Sequence, residues 1–312
     1  MRLNPILNKE LTIGARSIKM SIHLMIYNLI MGAIAIVTMM MLENDSRYGG
    51  ADYQTLMALF PILATVQCFI ILFMIPILTA SSIAGERERQ TLDVMLTTPV
   101  RPMSIVLGKV MSAMAQVLMY VVSSVPIMSL AFIIGGMPWS YVFGFIAMVI
   151  YASFYVGAVG VYCSAKRKKT ITSVISSFII IGVVMIATCV IFFVSASIKL
   201  RNFYTYNAPA GSTTAMSNWN FGLTPLWMLL NPAVPVANYV VKAYFGYSIA
   251  DLGVQYKSNL STVMYALTQH WNVVAIIVNL LVALLFCRLA ARKINPLRKM
   301  KKHPASNQPE ES

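Results

Sequence analysis

The sequence predicts an all-α integral membrane protein with six transmembrane helices. Three observations carry this. Of 312 residues, 58% are hydrophobic and only 11% charged, where a soluble domain averages roughly 25% charged. The charge deficit is uneven, because long uncharged stretches alternate with short charged ones. Each long stretch supplies the roughly 20 mainly apolar residues that cross a hydrocarbon core of about 30 Å.

The spans fall at residues 21–42, 55–80, 104–134, 140–165, 171–194 and 271–290. Residues 221–247 are apolar enough to imitate a seventh. They contain Pro225, Pro232 and Pro235, which forbid one unbroken helix. Two short re-entrant helices broken at Asn231-Pro232, within a long external segment at 195–270, fit better. Such backbone must be covered by protein or line a cavity. An external segment of that length is too long for a plain connector.

Lysines and arginines set the orientation. Nineteen lie at the N-terminus, around the second-to-third connection, at Lys166-Arg167-Lys168-Lys169 and in the tail, against five on the other side (Arg47, Lys199, Arg201, Lys242 and Lys257). The richer side is expected to be cytoplasmic, with both termini there, in a plasma-membrane protein. The formal net charge of +14 then belongs to loops facing anionic lipid headgroups rather than to nucleic-acid binding. Residues 1–20 read as a cytoplasmic interfacial helix. Ile6, Leu7, Leu11, Ile13 and Ile18 are interleaved there with Lys9, Glu10, Arg16 and Lys19. Residues 21–295 read as one six-span transmembrane domain, and residues 296–312 as a polar, aperiodic, disordered tail.

Enzyme chemistry finds no constellation. His23, His270 and His303 are scattered, and Cys68, Cys163, Cys189 and Cys287 all fall in apolar segments without metal-ligand spacing. No Gly-rich loop ending in Gly-Lys-Ser/Thr exists to cradle phosphates. Gly157 and Gly160 lie within the fourth span and read as a small-residue packing stripe. No Asp, Glu, Lys or Arg occupies the middle of a span, where cation pumps place them. The spans instead offer Asn28, Gln67, Gln116 and Asn279. Interhelical hydrogen bonding is the commoner use of such amides, and lining a translocation path for an amphiphile is the functional alternative.

The most informative stretch connects the second and third spans. Residues 86–96 show helical periodicity, with Leu92, Met95 and Leu96 on one face and Glu86, Arg87, Arg89 and Asp93 on the remainder. Pro99 and Pro102 end the helix and return the chain to the membrane. A short amphipathic helix here either floats at the interface or docks into another protein's groove.

The run Gly85-Glu86-Arg87-Glu88-Arg89-Gln90-Thr91-Leu92-Asp93-Val94-Met95-Leu96-Thr97-Thr98-Pro99-Val100, with Gly108-Lys109 after it, resembles the signature of the type-two export permeases of ABC transporters. The opening Asn4-Pro5-Ile6-Leu7-Asn8-Lys9-Glu10-Leu11 is similar to that family's entry helix. Leu230-Asn231-Pro232 ahead of the last span also matches. Met95 stands where the family pattern has leucine, a mild departure. The resemblance implies a permease subunit of an ATP-driven exporter and no catalytic residue or cofactor in this chain. ATP and magnesium would be bound by cytosolic ABC ATPase partners, and a second permease, identical or related, would complete the assembly. It further implies a short cytoplasmic coupling helix in which Glu86, Thr91, Leu92, Asp93, Leu96 and Pro99 dock the ATPase. A membrane scaffold or sensor sharing the permease fold is the alternative.

Overall fold

In a computed structural model of the chain, the described residues are 18–49, 57–92, 101–135, 138–207, 224–251 and 262–294. The six expected spans are helices α1 (Ile18–Gly49), α2 (Leu59–Glu88), α3 (Pro102–Gly135), α4 (Ser140–Lys166), α5 (Thr170–Asn207) and α8 (Trp271–Ile294). All six contain stretches long and apolar enough to cross a membrane. Between α5 and α8 stand a 3₁₀ helix (Thr224–Leu230) and the short helices α6 (Ala233–Phe245) and α7 (Thr262–Gln269). The expected interfacial helix, apart from its last residues, and the tail at 296–312 lie outside the described residues.

The 3₁₀ helix and α6 meet at Asn231-Pro232, as the prolines anticipated. At 13 residues, α6 is about 20 Å long, too short for a hydrocarbon core of about 30 Å. It ends where Gly246 takes the left-handed conformation, φ 76°, that glycine adopts without steric cost.

Helix α4 is the packing centre, seated against α2, α3, α5 and α8. Its residues Gly157, Gly160 and Ser164 share a face at spacings of three and four, which makes one stripe. A methyl group on Gly160 would fall 1.9 Å from the Thr79 hydroxyl oxygen of α2, whereas one on Gly157 would meet nothing closer than 3.5 Å. Gly160 is therefore the position that lets α2 and α4 approach closely. Phe60, Leu63, Ile75, Ile83, Val106, Val110 and Tyr155 complete the core between α2, α3 and α4.

The outer faces are apolar. Ile171, Ile175, Ile179, Val183, Ile186 and Val190 form an exposed ladder along α5, and Val273, Ile277, Leu281 and Leu285 another on α8. Continuous apolar surface of this kind requires hydrocarbon around it rather than water.

One sequence expectation fails here. Residues 86–96 are not one helix. Helix α2 runs on to Glu88, and Gln90 then turns left-handed at φ 59°. Thr91 N–H donates to Glu86 C=O (2.9 Å) and Gln90 N–H to Arg87 C=O (3.2 Å). These are the two bonds that close a Schellman turn. Periodicity missed the break because no glycine marks it: a glutamine holds the position that glycine usually fills.

Candidate functional site

The charged end of α2 forms a joint with three other spans. Glu86, Arg87 and Glu88 point to different partners because successive residues on a helix are spread around its axis. Glu86 Oε1 accepts from Lys109 Nζ of α3 at 2.6 Å, with Lys109 only 7% exposed and Glu86 25%. Its other oxygen, Oε2, is buried without a hydrogen-bond partner among the described residues. Arg87 donates to Arg167 C=O (2.6 Å) and Ala165 C=O (3.3 Å) at the end of α4, where a cation complements the helix dipole. Glu88 accepts from the backbone N–H (3.0 Å) and hydroxyl (2.7 Å) of Thr170 at the start of α5, where an anion does the same.

One turn further into the bundle, Ser164 of α4 enters the backbone ladder of α2. Its hydroxyl accepts from Ile83 N–H (2.9 Å) and Ala84 N–H (2.8 Å) and donates to Ala80 C=O (2.7 Å). One donor and two acceptor sites are all that a serine hydroxyl has. Thr79 and Ser82 bond locally, to Ile75 C=O (2.7 Å) and Thr79 C=O (2.6 Å). The end of α2 is thus fastened by polar bonds to α3, α4 and α5 together.

The anticipated docking residues divide. Glu86 is committed to Lys109. Thr91 is exposed, and its hydroxyl joins its N–H on Glu86 C=O (3.2 Å). Leu92, expected to face a partner, is 8% exposed and packs into this chain's own core. Asp93, Leu96 and Pro99 lie outside the described residues. Sequence reasoning placed Lys109 only in the Gly108-Lys109 match and missed Ser164 and Thr170, because nothing local to a lysine, serine or threonine says which distant helix end it meets.

The four amides are not brought together by any hydrogen bond among the described residues. Asn28 donates to Leu24 C=O of its own helix (3.0 Å). Gln67 is 1% exposed and neither amide atom has a partner among the described residues. Gln116 is half-buried on α3. Asn279, fully buried, donates to Leu229 C=O (2.9 Å) and Ala275 C=O (2.8 Å), which ties the 3₁₀ helix to α8.

Asn231 is the matching anchor on α5. Its side-chain amide donates to the Thr188 hydroxyl (2.9 Å), while its side-chain Oδ1 accepts from Ala233 N–H (3.0 Å) and so starts α6. The rest of this end is knitted by Asn238, which donates to Asn272 (2.7 Å) and accepts from Ile249 N–H (2.9 Å). Tyr239 donates to Tyr141 C=O (3.0 Å). Two bonds from Ser248, through its hydroxyl and its N–H, hold the Asp251 carboxyl below the usual carboxylate range.

No group of three His, Cys, Asp or Glu side chains among the described residues could hold a metal ion. The arrangement offers mechanical connection between spans rather than bond-making chemistry. Residues 6–290 match the family model described as ABC-2 family transporter protein. No curated protein matches the chain.

Proposed function

Since the chain belongs to the ABC-2 transporter family, across nearly its whole length, we propose that it is the permease subunit of an ATP-driven exporter of an amphiphile. The joint at Glu86, Arg87 and Glu88 is the observation that supports this reading. A displacement applied to the segment after Leu92 reaches α2 directly, and three short polar connections pass it to α3, α4 and α5. A coupling device needs this property, because a partner's two states bias the spans only through differential contact with them.

In this reading the lysine- and arginine-rich end is cytoplasmic, and cytosolic ATPases bind ATP and magnesium and dock on residues 93–100. Two permease subunits pair, and the short helices around Asn231-Pro232 are re-entrant from the outer face. Leu92 is packed in this chain's own core, so Leu96, with Asp93 and Pro99, carries the docking contact.

The test is a pull-down of the ATPase from detergent extracts with Leu96→Asp. A carboxylate placed in a packed apolar pocket costs several kcal/mol, and pocket-filling anchors dominate interfaces. Loss of the ATPase from a permease that still elutes normally on gel filtration is the expected result. Retention of the ATPase together with normal transport would put the interface elsewhere, with Lys166 to Lys169 the next surface to test.

A further inference from the structure

Helix α2 carries Pro76 in its interior. A proline has no N–H, so Leu72 C=O loses its helical bond there, and the ring crowds that carbonyl. Hydroxyl side chains follow at once. Thr79 donates to Ile75 C=O (2.7 Å), Ser81 to Leu78 C=O (3.1 Å) and Ser82 to Thr79 C=O (2.6 Å). Hydroxyls bonded back three or four residues loosen and bend a helix, and sharp kinks occur at prolines. Residues 72–82 are therefore the weakest stretch of the α2 backbone.

The two halves on either side are held differently. In the Glu88 half, Thr79 sits in the close contact with Gly160, and Ala80, Ile83 and Ala84 share the Ser164 hydroxyl. Glu86, Arg87 and Glu88 then reach α3, α4 and α5. In the Leu59 half, Phe60 meets Phe145 edge-on at 6.0 Å, and Leu63, Ile71 and Ile75 lie in the apolar core. The Thr65 hydroxyl bonds within its own helix, to Pro61 C=O (2.7 Å). Hydrogen bonds fix direction, whereas apolar burial is non-directional. A load on the segment after Leu92 thus carries the Glu88 half together with its three neighbours, and relative motion collects at Pro76.

Gln67 shows what such motion would change. It is 1% exposed, and neither amide atom has a partner among the described residues, which disfavours its present place. It stands nine residues from Pro76, about 13 Å along the axis at 1.5 Å per residue. A change of about 20° in bend moves it by about 5 Å, enough to leave that place.

We propose that Pro76 is the hinge of α2, and that bending there during transport carries Gln67 from the core into water-accessible space. This rests on the permease reading and adds which part of which span moves.

The experiment is cysteine accessibility in the full chain with its ATPase in lipid nanodiscs. Gln67→Cys is made with Cys68→Ala, so that peptide mass spectrometry assigns each adduct of a charged methanethiosulfonate reagent. Labelling at 67 should differ by about tenfold or more between the nucleotide-free and the ATP–vanadate-trapped complex, the order of one backbone hydrogen bond. Pro76→Ala should abolish the difference. Thr79→Val removes the back-bond instead and should reduce it, which keeps the hinge testable if Pro76→Ala does not assemble. Ile83→Cys in the fastened half, and the native Cys163 and Cys287, all buried, should stay unlabelled in both states.

Equal labelling at 67 in both states would mean a standing hydrated site. Its absence from both states while nucleotide is trapped would mean that α2 moves as one body. Labelling at 83 together with 67 would mean general loosening. Each of these overturns the hinge and leaves the permease reading intact. If no nucleotide is trapped, the permease reading fails instead. The hinge is then read from the chain alone, where Pro76→Ala should slow labelling at 67 by about tenfold, and no labelling or an unchanged rate overturns it.

Discussion

Lys109→Met tests the joint most directly. The substitution keeps the apolar stem of the side chain and removes the ammonium that meets Glu86 at 2.6 Å. Glu86 Oε2 already lacks a partner among the described residues, so the variant leaves the carboxylate without Oε1's bond as well. Removing one member of a fully buried pair costs about 3–5 kcal/mol. Glu86 is 25% exposed, so water recovers part of this, and a loss of about 2 kcal/mol is the reasoned value. At roughly 2–4 °C per kcal/mol for chains of this order of size, the midpoint should fall by about 4–8 °C. Glu86→Gln should cost about 1–2 kcal/mol, because the amide keeps an acceptor but loses the charge. The double variant decides the matter. If the two residues stabilise each other, it should be less destabilised than the sum of the singles by at least about 1 kcal/mol, beyond the 0.3–0.5 kcal/mol scatter of independent sites. The assay is thermal unfolding in one detergent, followed by intrinsic fluorescence and by the monodisperse fraction on gel filtration. A double variant equal to the sum of its singles would refute the pair as a joint, and with it the polar link between α2 and α3.

Ser164→Ala should cost about 1–3 kcal/mol, read as a lower unfolding midpoint, because Ile83 N–H and Ala84 N–H lose an acceptor in a buried place. Ser164→Thr keeps the hydroxyl and would isolate steric fit from bonding. Gln90→Gly should raise the midpoint modestly, by up to about 1–2 kcal/mol of relieved left-handed strain, since glycine suits a φ of 59°; no gain would mean that the turn is not formed as described. Gln67→Leu should stabilise by about 1–3 kcal/mol, because it removes a buried amide with neither atom partnered among the described residues. Stabilisation with transport abolished would assign Gln67 to the translocation path, and stabilisation with transport retained would exclude it.

The stripe read from Gly157 and Gly160 as small-residue packing continues to Ser164, and Gly160 and Ser164 are two different devices. Gly160 gives close approach to Thr79, and Ser164 uses that approach to place a hydroxyl in the neighbouring backbone. In hydrocarbon, where no water competes for Ala80 C=O or the Ile83 and Ala84 N–H groups, such a bond holds the helices in one register. The same logic applies at the opposite end, where Asn231, just after the 3₁₀ helix, reaches Thr188 of α5, and Asn279 of α8 reaches Leu229 C=O of the 3₁₀ helix.

The sequence alone determined the six spans, because continuous apolarity over a bilayer's width has few other uses and needs no knowledge of neighbours. Observed ends such as Ser140–Lys166 and Trp271–Ile294 lie close to those read from hydropathy. The break at Asn231-Pro232 was legible for a similar reason, since proline acts on its own helix. Tertiary structure decided the rest. Whether Leu92 faces a partner or its own core depends on where α2 ends, and that end is set by a glutamine forced left-handed rather than by a glycine visible in the chain. Lys109 reads as one more positive charge until α3 is laid beside α2, 23 residues away in sequence from Glu86. Local propensity acts over a turn or two of chain, whereas Glu86, Arg87 and Glu88 acquire their roles from helix ends that only the packed bundle brings within hydrogen-bond reach.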